Sequence, residues 1–326
     1  MQRIVVVGAS VVDVLVRSKE LKVLKSHEVS GGVAMCEVMG GKIEADEAQV
    51  CTGGGGSNVA VGLLKLGHAI KLITRIGKDK MGRMVEEEHN MYQLDNSMIQ
   101  KGEGKTGVST VLVNSVGGRS IVTYRGESTK IDNREIDWGE VGKADWVQIS
   151  SLGGRIDLLE EIIEFCFGKG IRVGLNPGKD EMESEKLIRL FSKIDFLNLN
   201  RAEASNLCGI NFEDEEEILK KLNSFGVRVV AMTDGKRGGT LLRANRWYKM
   251  DTFSAKSVDD TGAGDAFVSG AVCGLLDYKN DTDVLKMGLA NGSSVVTKMG
   301  AKAGLLGRAE MEKWLKKKLK IVEGTV

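Results

Sequence analysis

The chain has 326 residues, of which 42% are hydrophobic and 28% charged, a composition that suits a folded protein with a large core and excludes a disordered one. The formal net charge of +1 argues against electrostatic binding to nucleic acid or to an anionic membrane. The five cysteines contain no Cys-x-x-Cys spacing, which is typical of reduced thiols, so we expect a cytoplasmic protein without nucleic-acid or membrane partners.

The first predicted element is a buried β-strand. Residues 4–7 form a continuous apolar run of the kind found in parallel sheets that are covered on both faces. Asp13 is expected in the loop just beyond this strand, where open α/β sheets bind ligands, although a solvated loop carboxylate is an equally good interpretation. Between residues 14 and 52, alternating patches such as residues 42–46 predict short strands.

Four consecutive glycines at positions 53–56 precede Ser57 and Asn58. Such a run costs conformational entropy, so it indicates an unusual turn or a group that approaches the backbone closely. The residues that follow predict a helix that is capped by Ser57 or Asn58 and ended by Gly67. A flexible linker is the alternative, but linkers seldom lead directly into a capped helix.

The next segment combines a strand and a helix with a β-hairpin. A strand is predicted over residues 68–77 and a helix over residues 81–92. Two runs with strand patterning, residues 108–113 and 120–124, flank a turn at Gly117 and Gly118. Together with the strands before the glycine run, this hairpin predicts a small sheet that stands apart from the parallel core and can act as a lid.

From residue 144 onward, strand and helix patterns alternate regularly. Repeated βα units of this kind predict a parallel sheet with helices on both faces. A hairpin over residues 240–250 and a terminal amphipathic helix over residues 311–321, with lysines on its solvated face, complete the chain.

Two polar turns follow strands of this βα region. Asn200 and Glu203 are suited to orienting waters around a divalent cation, although on local evidence a capping box at a helix start explains them better. Thr233, Gly235 and Gly238 lie in a turn with two cationic residues, which suits a polyphosphate. A polar entry into a hairpin accounts for this second turn about as well.

A tight turn through Gly262, Ala263 and Gly264 precedes a helix-forming run. It should present free backbone N–H groups at a helix N-terminus, which can hold a phosphate. Asp265 follows at once, and a carboxylate there can accept the proton of a hydroxyl that attacks the phosphoryl group. The helix N-terminus should keep Asp265 ionised. Asp is also a favoured N-cap residue, and on local evidence alone the cap is the better explanation.

These motifs together resemble the two signatures of the ribokinase-like, or PfkB-type, carbohydrate kinases. The Gly-Gly-Gly-Gly-Ser-Asn-Val-Ala block, followed by Gly67 and Gly77, is similar to the N-terminal signature, and residues 259–265 are similar to the C-terminal one. The Asn-x-x-Glu motif of the family is matched from Asn200 to Glu203. The resemblance runs from Val5 to about Leu306.

The resemblance implies an α/β fold with a doubly wound, mainly parallel sheet and a small β-sheet lid. It further implies that residues 1–326 form a single kinase domain, with the lid at about residues 14–52 and 104–130. Relatives often dimerise through lid strands, so a homodimer is expected as well. Two departures from the family pattern are the extra negative charge of Asp260 and the pair Ser150-Ser151, which stands where many ribokinases have an acidic substrate contact.

The implied activity is ATP-dependent phosphoryl transfer to a hydroxyl of a sugar, with Asp265 as the catalytic base. Gly262, Ala263 and Gly264 would form the anion hole, and ATP and Mg²⁺ would be required. The remaining residues implied by the motif match are Asp13, Gly54, Gly55 and Asn58 for the substrate; Asn200, Thr233, Gly235, Gly238 and Asn291 for the nucleotide; Glu203 for Mg²⁺ through water; and Asp259 and Thr261 for a monovalent cation such as K⁺.

Several alternatives stay open at this stage. A nucleoside kinase of the same fold would need an apolar or aromatic pocket for the base, and the lid region is poor in aromatic residues. A phosphosugar kinase would need a cation for its second phosphate, for which Arg125 or Lys42 is a candidate. A non-catalytic sugar-binding regulator would lack the base or the anion turn, and both are present. A dinucleotide-dependent oxidoreductase would need a glycine fingerprint after the first strand, which is missing.

Overall fold

The structure is a computed structural model that describes residues 1–25, 33–36, 40–115 and 118–326. Within these residues the buried apolar runs form strands and the amphipathic runs form helices. The strands are β1 (Arg3–Val7), β2 (Val11–Arg17), β3 (Lys22–Lys25), β4 (Val33–Cys36), β5 (Glu47–Gly53), β6 (Ala69–Gly77), β7 (Ile99–Gly102), β8 (Gly107–Val113), β9 (Arg119–Tyr124), β10 (Trp146–Ser150), β11 (Arg172–Asn176), β12 (Phe196–Asn200), β13 (Val229–Thr233), β14 (Gly239–Arg243), β15 (Arg246–Met250) and β16 (Ile321–Thr325). The helices are α1 (Gly55–Lys65), α2 (Lys80–Met91), α3 (Trp138–Val141), α4 (Ile156–Lys169), α5 (Lys179–Met182), α6 (Glu185–Leu190), α7 (Arg201–Cys208), α8 (Glu215–Ser224), α9 (Ala263–Leu276), α10 (Asp281–Val295) and α11 (Arg308–Leu315).

Ten strands form the central sheet in the order β16-β15-β14-β13-β12-β11-β10-β1-β6-β7. The seven strands from β13 to β7 in that order are parallel, and β14, β15 and β16 add an antiparallel edge. The chain leaves β1 toward β6 on one side and later returns to β10 on the other, so the strand order reverses between β1 and β10. Open α/β sheets bind their ligands at such a reversal.

Helices cover both faces of this sheet. Alternate residues of β1 show the division, because Ile4 and Val6 belong to one apolar core and Val5 and Val7 to the other. The first core includes apolar residues of α1, α9 and α10, and the second includes those of α4, α6 and α8. The predicted doubly wound α/β fold is therefore confirmed.

A second, smaller sheet stands beside the carboxyl ends of the central strands, where the strand order reverses, as the hairpin pattern predicts. Its order is β5-β2-β8-β9, with β2 and β8 parallel and the other pairs antiparallel, and β3 and β4 form a separate two-stranded ribbon. The turn expected at Gly117 and Gly118 lies partly outside the described residues, which omit Gly117. The strand expected at residues 42–46 is wrong, since β5 begins only at Glu47.

Three further expectations from the sequence need correction. Asp13 lies within β2 and not in a loop, because the small sheet starts only four residues after β1 ends. Helix α1 begins at Gly55 with Gly54 at its cap, ahead of Ser57 and Asn58. The terminal helix stops at Leu315, and the apolar residues beyond it join the sheet as β16. Among the described residues, no helix is both long and apolar enough to span a membrane.

Candidate active site

The crevice between β1 and β10 is closed at its base by the start of α1. A β-carbon built on Gly8, just after β1, would lie 3.0 Å from the backbone of Gly56 and 3.0 Å from the Ser150 β-carbon. Helix α1 therefore begins directly on the ends of these two strands. Ser57 N in its first turn donates to the Ala9 carbonyl at 3.2 Å, which fixes the helix start at the reversal of strand order.

The glycine run is explained by this close approach. Gly54 has φ of 91°, in a region that favours glycine, and a β-carbon there would collide with the carbonyl oxygen of Ala9. The backbone of β5 can therefore turn into α1 while it touches the loop after β1. The linker interpretation of this run is wrong, because residues 53–56 end a strand and begin a helix.

Helices α1 and α9 bring Asn58 and Asp265 together across 207 residues of sequence. Asn58 Nδ2 donates to Asp265 Oδ2 at 2.8 Å. A β-carbon built on Gly55 would lie 3.2 Å from Ser150 Oγ and 3.4 Å from Asp265 Oδ1. The first turns of α1 and α9 thus face one small volume, with the free oxygen of the Asp265 carboxylate beside Gly55.

The turn before Asp265 has the form expected of an anion site. Gly262 is the N-cap of α9 with φ of 76°, and it packs against Ala301 so closely that a β-carbon would lie 2.5 Å from the Ala301 β-carbon. Gly264 is exposed, and nothing lies within 4 Å of the position of its missing β-carbon. The amides of Gly264 and Asp265 belong to the first turn, where N–H groups have no partner within a helix.

The expectation that the helix N-terminus keeps Asp265 ionised meets an opposing effect. Burial raises the pKa of the Asp265 carboxyl above its ordinary value, and the hydrogen bond from Asn58 and the charge of Lys302 only partly offset this. A raised pKa makes a carboxylate a stronger proton acceptor when it is ionised. The structure therefore corrects the direction that the sequence suggested.

Asp13 extends from β2 over the same volume, on the side of the small sheet. Its side chain lies against Gly53, where a β-carbon would collide with the carboxylate. Asp13 is 6% exposed, and burial raises its pKa from 3.8 to about 6, against the lowering effects of Lys302 and of a hydrogen bond with Ser109. A buried carboxylate of this kind gains from a hydroxyl donor.

Three buried polar atoms near this volume have no hydrogen-bond partner among the described residues. They are Asn58 Oδ1, Ser10 Oγ and Ser150 Oγ. Unpaired buried groups are costly, so they mark places where a ligand or water completes the bonding. Ser10 was missed by the sequence reasoning, although its position just after β1 is a signal. Ser150 was noted only as a departure from the family pattern.

Four of the five residues expected to contact a nucleotide lie at or just after the ends of β12 and β13, where Asn200 and Thr233 are paired and Gly235 and Gly238 follow Thr233. Asn200 and Glu203 do form the capping box, since Glu203 N donates to Asn200 Oδ1 and Asn200 N donates to Glu203 Oε2, both at 2.8 Å. Burial raises the pKa of Glu203. The two residues are thus locked at the start of α7.

The next turn is less cationic than its sequence suggests. Arg237 donates two hydrogen bonds to Asp234, at 2.9 and 2.8 Å, and Arg201 donates a third to it at 3.0 Å. Gly235 and Gly238 both have positive φ and shape the turn. Of the two cationic residues expected to suit a polyphosphate, Arg237 is therefore engaged with Asp234.

Asn291 lies inside the protein and away from the other expected nucleotide contacts. Its Nδ2 donates to the Ala266 carbonyl and to Ser269 Oγ, both at 2.9 Å, and its Oδ1 accepts from Leu306 N at 2.9 Å. The side chain is fully buried. It ties α10 to α9 just behind Asp265.

Asp259 and Thr261 form a second polar centre behind the anion turn. Asp259 Oδ1 accepts from Thr261 N and Thr261 Oγ1, at 2.9 and 2.7 Å, and Oδ2 accepts from Gly300 N at 2.9 Å. Asp260, whose charge disturbed the family pattern, is exposed and accepts a hydrogen bond from Ser257 Oγ at 2.6 Å. Its carboxylate is therefore engaged away from the anion turn.

A cluster of His68, Cys273 and Asp277 has the composition of a metal site, with ligand atoms within 4.8 Å of one another. Arg308 already neutralises Asp277 through two hydrogen bonds, at 2.6 and 3.2 Å. The cluster lies toward the far end of α9 from Asp265, with Cys273 about 12 Å and Asp277 about 18 Å further along the helix direction. It takes no part in the crevice.

Comparison with known proteins identifies the family of the chain. The model of the family described as "pfkB family carbohydrate kinase" matches residues 1–306. The chain belongs to this family. It is 27% identical over 273 residues to a ribokinase of Haemophilus influenzae, covering 82% of this chain and 88% of the relative. The resemblance inferred from the two signatures is therefore confirmed.

Two solved structures show the same fold as this member of the pfkB family. One is a ribokinase of Arabidopsis thaliana complexed with ribose and ATP, with a TM-score of 0.79, 23% identity and coverage of 97% of this chain and 99% of that chain. The other is a nucleoside kinase of Burkholderia thailandensis in complex with inosine, with a TM-score of 0.78, 15% identity and coverage of 95% and 97%. The fold accommodates both kinds of acceptor, so the acceptor must be argued from the side chains.

Proposed function

We propose that this protein transfers the γ-phosphoryl group of ATP to a hydroxyl of a sugar, with Asp265 as the catalytic base. The observation that carries the proposal is the Asn58–Asp265 hydrogen bond in front of the first turn of α9. It leaves Asp265 Oδ1 free beside Gly55, while the turn through Gly262 offers unpaired amides to an anion.

The reaction follows from this arrangement. The sugar hydroxyl oxygen attacks the γ-phosphorus, its proton passes to Asp265 Oδ1, and the bond from the γ-phosphorus to the bridging oxygen breaks to release ADP. The amides of Gly264 and Asp265 donate to the phosphoryl oxygens as negative charge develops on them. Asn58 keeps the carboxylate in one orientation, which lowers the entropic cost of the transfer.

The other polar groups of the crevice would position the acceptor. Asp13 would accept a hydrogen bond from a second sugar hydroxyl. Further hydrogen-bond acceptors and donors for a polyol would come from three atoms that have no partner among the described residues, Asn58 Oδ1, Ser10 Oγ and Ser150 Oγ. A hydroxyl at Ser150 replaces the acidic contact expected of many ribokinases. This donor set favours a sugar over a nucleoside, whose base would need an apolar surface.

Thr233, Gly235 and Gly238 would lie along the nucleotide, with Asn200 at the neighbouring strand end. Glu203 Oε1 makes no hydrogen bond among the described residues, while Oε2 is held by Asn200 N. One free carboxylate oxygen fits an outer contact to a hydrated Mg²⁺, which would neutralise charge on the phosphates of bound ATP. The side chain of Asn291 makes its hydrogen bonds to groups of the protein itself. We therefore infer that Asn291 stabilises the start of α9 and does not contact the nucleotide.

Asp259 and Thr261 fit a monovalent cation such as K⁺ in charge and in ligand type. Asp259 is 6% exposed, and the hydrogen bonds it accepts come from the neutral donors of Thr261 and Gly300. Buried carboxylates are usually paired with a positive charge. A cation there would hold the loop that carries the anion turn.

We also propose that the small sheet acts as a lid and as the contact of a homodimer. Val50, Val14, Thr110 and Val122 are paired across four strands and therefore lie in one row on one face of the sheet. Asp13 lies on the opposite face. Val50 and Val122 are 52% and 67% exposed, and a second copy of the same row would cover them.

A coupled ADP-release assay across pentoses, hexoses, phosphosugars, inositols and nucleosides tests the function. Turnover is expected with a sugar, and turnover with nucleosides alone would overturn the assignment. Asp265→Asn should lower kcat by roughly 10²- to 10⁴-fold, with ATP binding by calorimetry unchanged. Asp260→Asn is the matched control, because it removes an exposed carboxylate from the same turn. Near-normal activity of Asp265→Asn would contradict the role of the base.

A further inference from the structure

Lys302 is a buried lysine beside the crevice that neither signature motif includes. It is 4% exposed, and its Nζ donates to the Thr52 carbonyl oxygen at 2.8 Å and to Thr52 Oγ1 at 2.6 Å. Glu88 Oε1 lies 3.1 Å from the same nitrogen, and Glu88 Oε2 accepts from Thr52 N at 3.1 Å. The ammonium therefore joins strand β5, helix α2 and the loop after α10.

This position is next to the substrate residues. Thr52 immediately precedes Gly53, against which the Asp13 carboxylate packs, and Cys51 is the direct partner of Asp13 in the sheet. The loop that carries Lys302 touches β5 as well, since a β-carbon on Gly300 would lie 3.3 Å from Cys51 Sγ. The ammonium thus sits behind the wall of the pocket that Asp13 lines.

The charges around Lys302 are unbalanced. Glu88 contacts it directly and balances its charge, while the buried Asp13 and the half-buried Asp265 have no cation of their own in contact among the described residues. The positive charge of Lys302 lowers the pKa of Asp13 and of Asp265 against the raising effect of burial. The groups of the packed elements that face Lys302 are Cys51 on β5, Asp13 on β2, Glu88 and His89 on α2, and Asp265 on α9. Asp259, before α9, adds a negative charge near Asp13 and Cys51.

Two of these neighbours stay neutral over the working range of pH. Burial raises the pKa of the Cys51 thiol to about 12 and lowers the pKa of the His89 imidazole to about 4. Among the neighbours of Lys302, Asp13 has a pKa of about 6 and therefore changes its charge within this range.

We propose that Lys302 is a positioning residue of the active site, whose buried ammonium fixes β5 against α2 and supplies the positive charge that lets Asp13 and Asp265 act as carboxylates in one pocket. The inference rests on the proposed function. It adds a role that acts through Asp13 and Asp265, since Lys302 itself does not touch the substrate volume.

The test is the pH profile of kcat/KM for two variants that break the same ion pair with opposite charge effects. Lys302→Met removes the positive charge and so raises the pKa of the pocket carboxylates. The acidic limb of the profile, where kcat/KM falls as these carboxylates become protonated, should therefore move to higher pH by about one unit. Glu88→Gln removes the compensating negative charge, so the acidic limb should move to lower pH. Lys298→Met removes an exposed lysine from the same end of α10 and should leave the limb in place.

A purely structural role gives a different result. It would lower kcat/KM at every pH, or move the limb in the same direction for both variants, and either outcome would overturn the proposal. If Lys302→Met does not fold, Glu88→Gln decides alone, and an unmoved or raised limb counts against the proposal.

The proposed function and this inference can fail separately. A wild-type protein without activity toward any sugar refutes the function, and the role of Lys302 is then tested by titration of the ¹³C-labelled Asp13 carboxyl in the NMR spectrum. The Asp13 midpoint should rise in Lys302→Met and fall in Glu88→Gln. Unchanged midpoints in both variants would overturn the inference whatever the activity.

Discussion

Asp13→Asn should make the folded protein more stable while it removes sugar binding. In the folded state Asp13 is 6% exposed, and burial raises its pKa from 3.8 to about 6. This difference of about two units, at roughly 1.4 kcal/mol per unit, corresponds to at most about 3 kcal/mol of lost stability when the carboxyl is ionised. An amide of the same shape avoids that cost.

The sign of the effect fixes its dependence on pH. Because the folded state binds the Asp13 proton more tightly than the unfolded state, the stability from this group is fully present below pH 3.8 and is lost as pH rises through about 6. The asparagine side chain of the variant does not titrate. The gain from the substitution should therefore be close to zero near pH 4 and should reach its full size, about 3 kcal/mol at most, above pH 7.

Urea unfolding of the wild type and Asp13→Asn at pH 4.5, 6 and 8 measures this difference directly. Asp260→Asn is the matched control, because its exposed carboxylate should give a small change at every pH. Calorimetric titration with the sugar found in the activity screen reports the loss of binding. A variant that is no more stable than the wild type at pH 8, or a gain that does not grow with pH, would refute the reasoning.

Two further predictions concern the glycine run and the lid. In a thermal unfolding assay, Gly54→Ala should lower the free energy of unfolding by at least about 1–2 kcal/mol, because φ is 91° and the methyl group would meet the Ala9 carbonyl. Gly168→Ala is the control: it lies in the open last turn of α4 and should be neutral or stabilising in the same assay. If the wild type forms the proposed dimer in light scattering after size exclusion, Val122→Asp should give a monomer without loss of thermal stability, and an unchanged mass would count against the lid contact.

The parallel sheet could be predicted because it depends on local patterns. Continuous apolar runs such as β1 and regular alternation from residue 144 onward are properties of short stretches, and each packs against helices on both faces. The position of Asp13 could not be predicted in this way. Only pairing with β5 and β8, which are distant in sequence, shows that the residues from Val11 onward form a strand and not a loop.

Much of the site depends on contacts that no local pattern contains. Asn58 and Asp265 were each identified from a motif, but their hydrogen bond joins helices 207 residues apart. Lys302 lies outside both motifs, and its partner Thr52 is 250 residues away. Ser10 is buried beside Gly54 at the cap of α1, a contact that no local pattern shows. Motifs therefore identified a part of the candidate site, and the fold determines which residues meet there.

Two motifs, Asn200 to Glu203 and the turn before Asp265, can each be explained either as a helix cap or as functional residues. The structure gives a different answer on the cap at each of them. Asn200 and Glu203 bond each other's backbone, so the cap is real and a single carboxylate oxygen is left over. At α9 the cap position is Gly262, which has no side chain, and Asp265 lies in the first turn with its carboxylate turned toward Asn58. Because Asp265 does not cap its own helix, its second oxygen is available for a proton. Burial raises its pKa, and the hydrogen bond from Asn58 and the charge of Lys302 act against that rise, which is the balance that the proposed role as a general base requires.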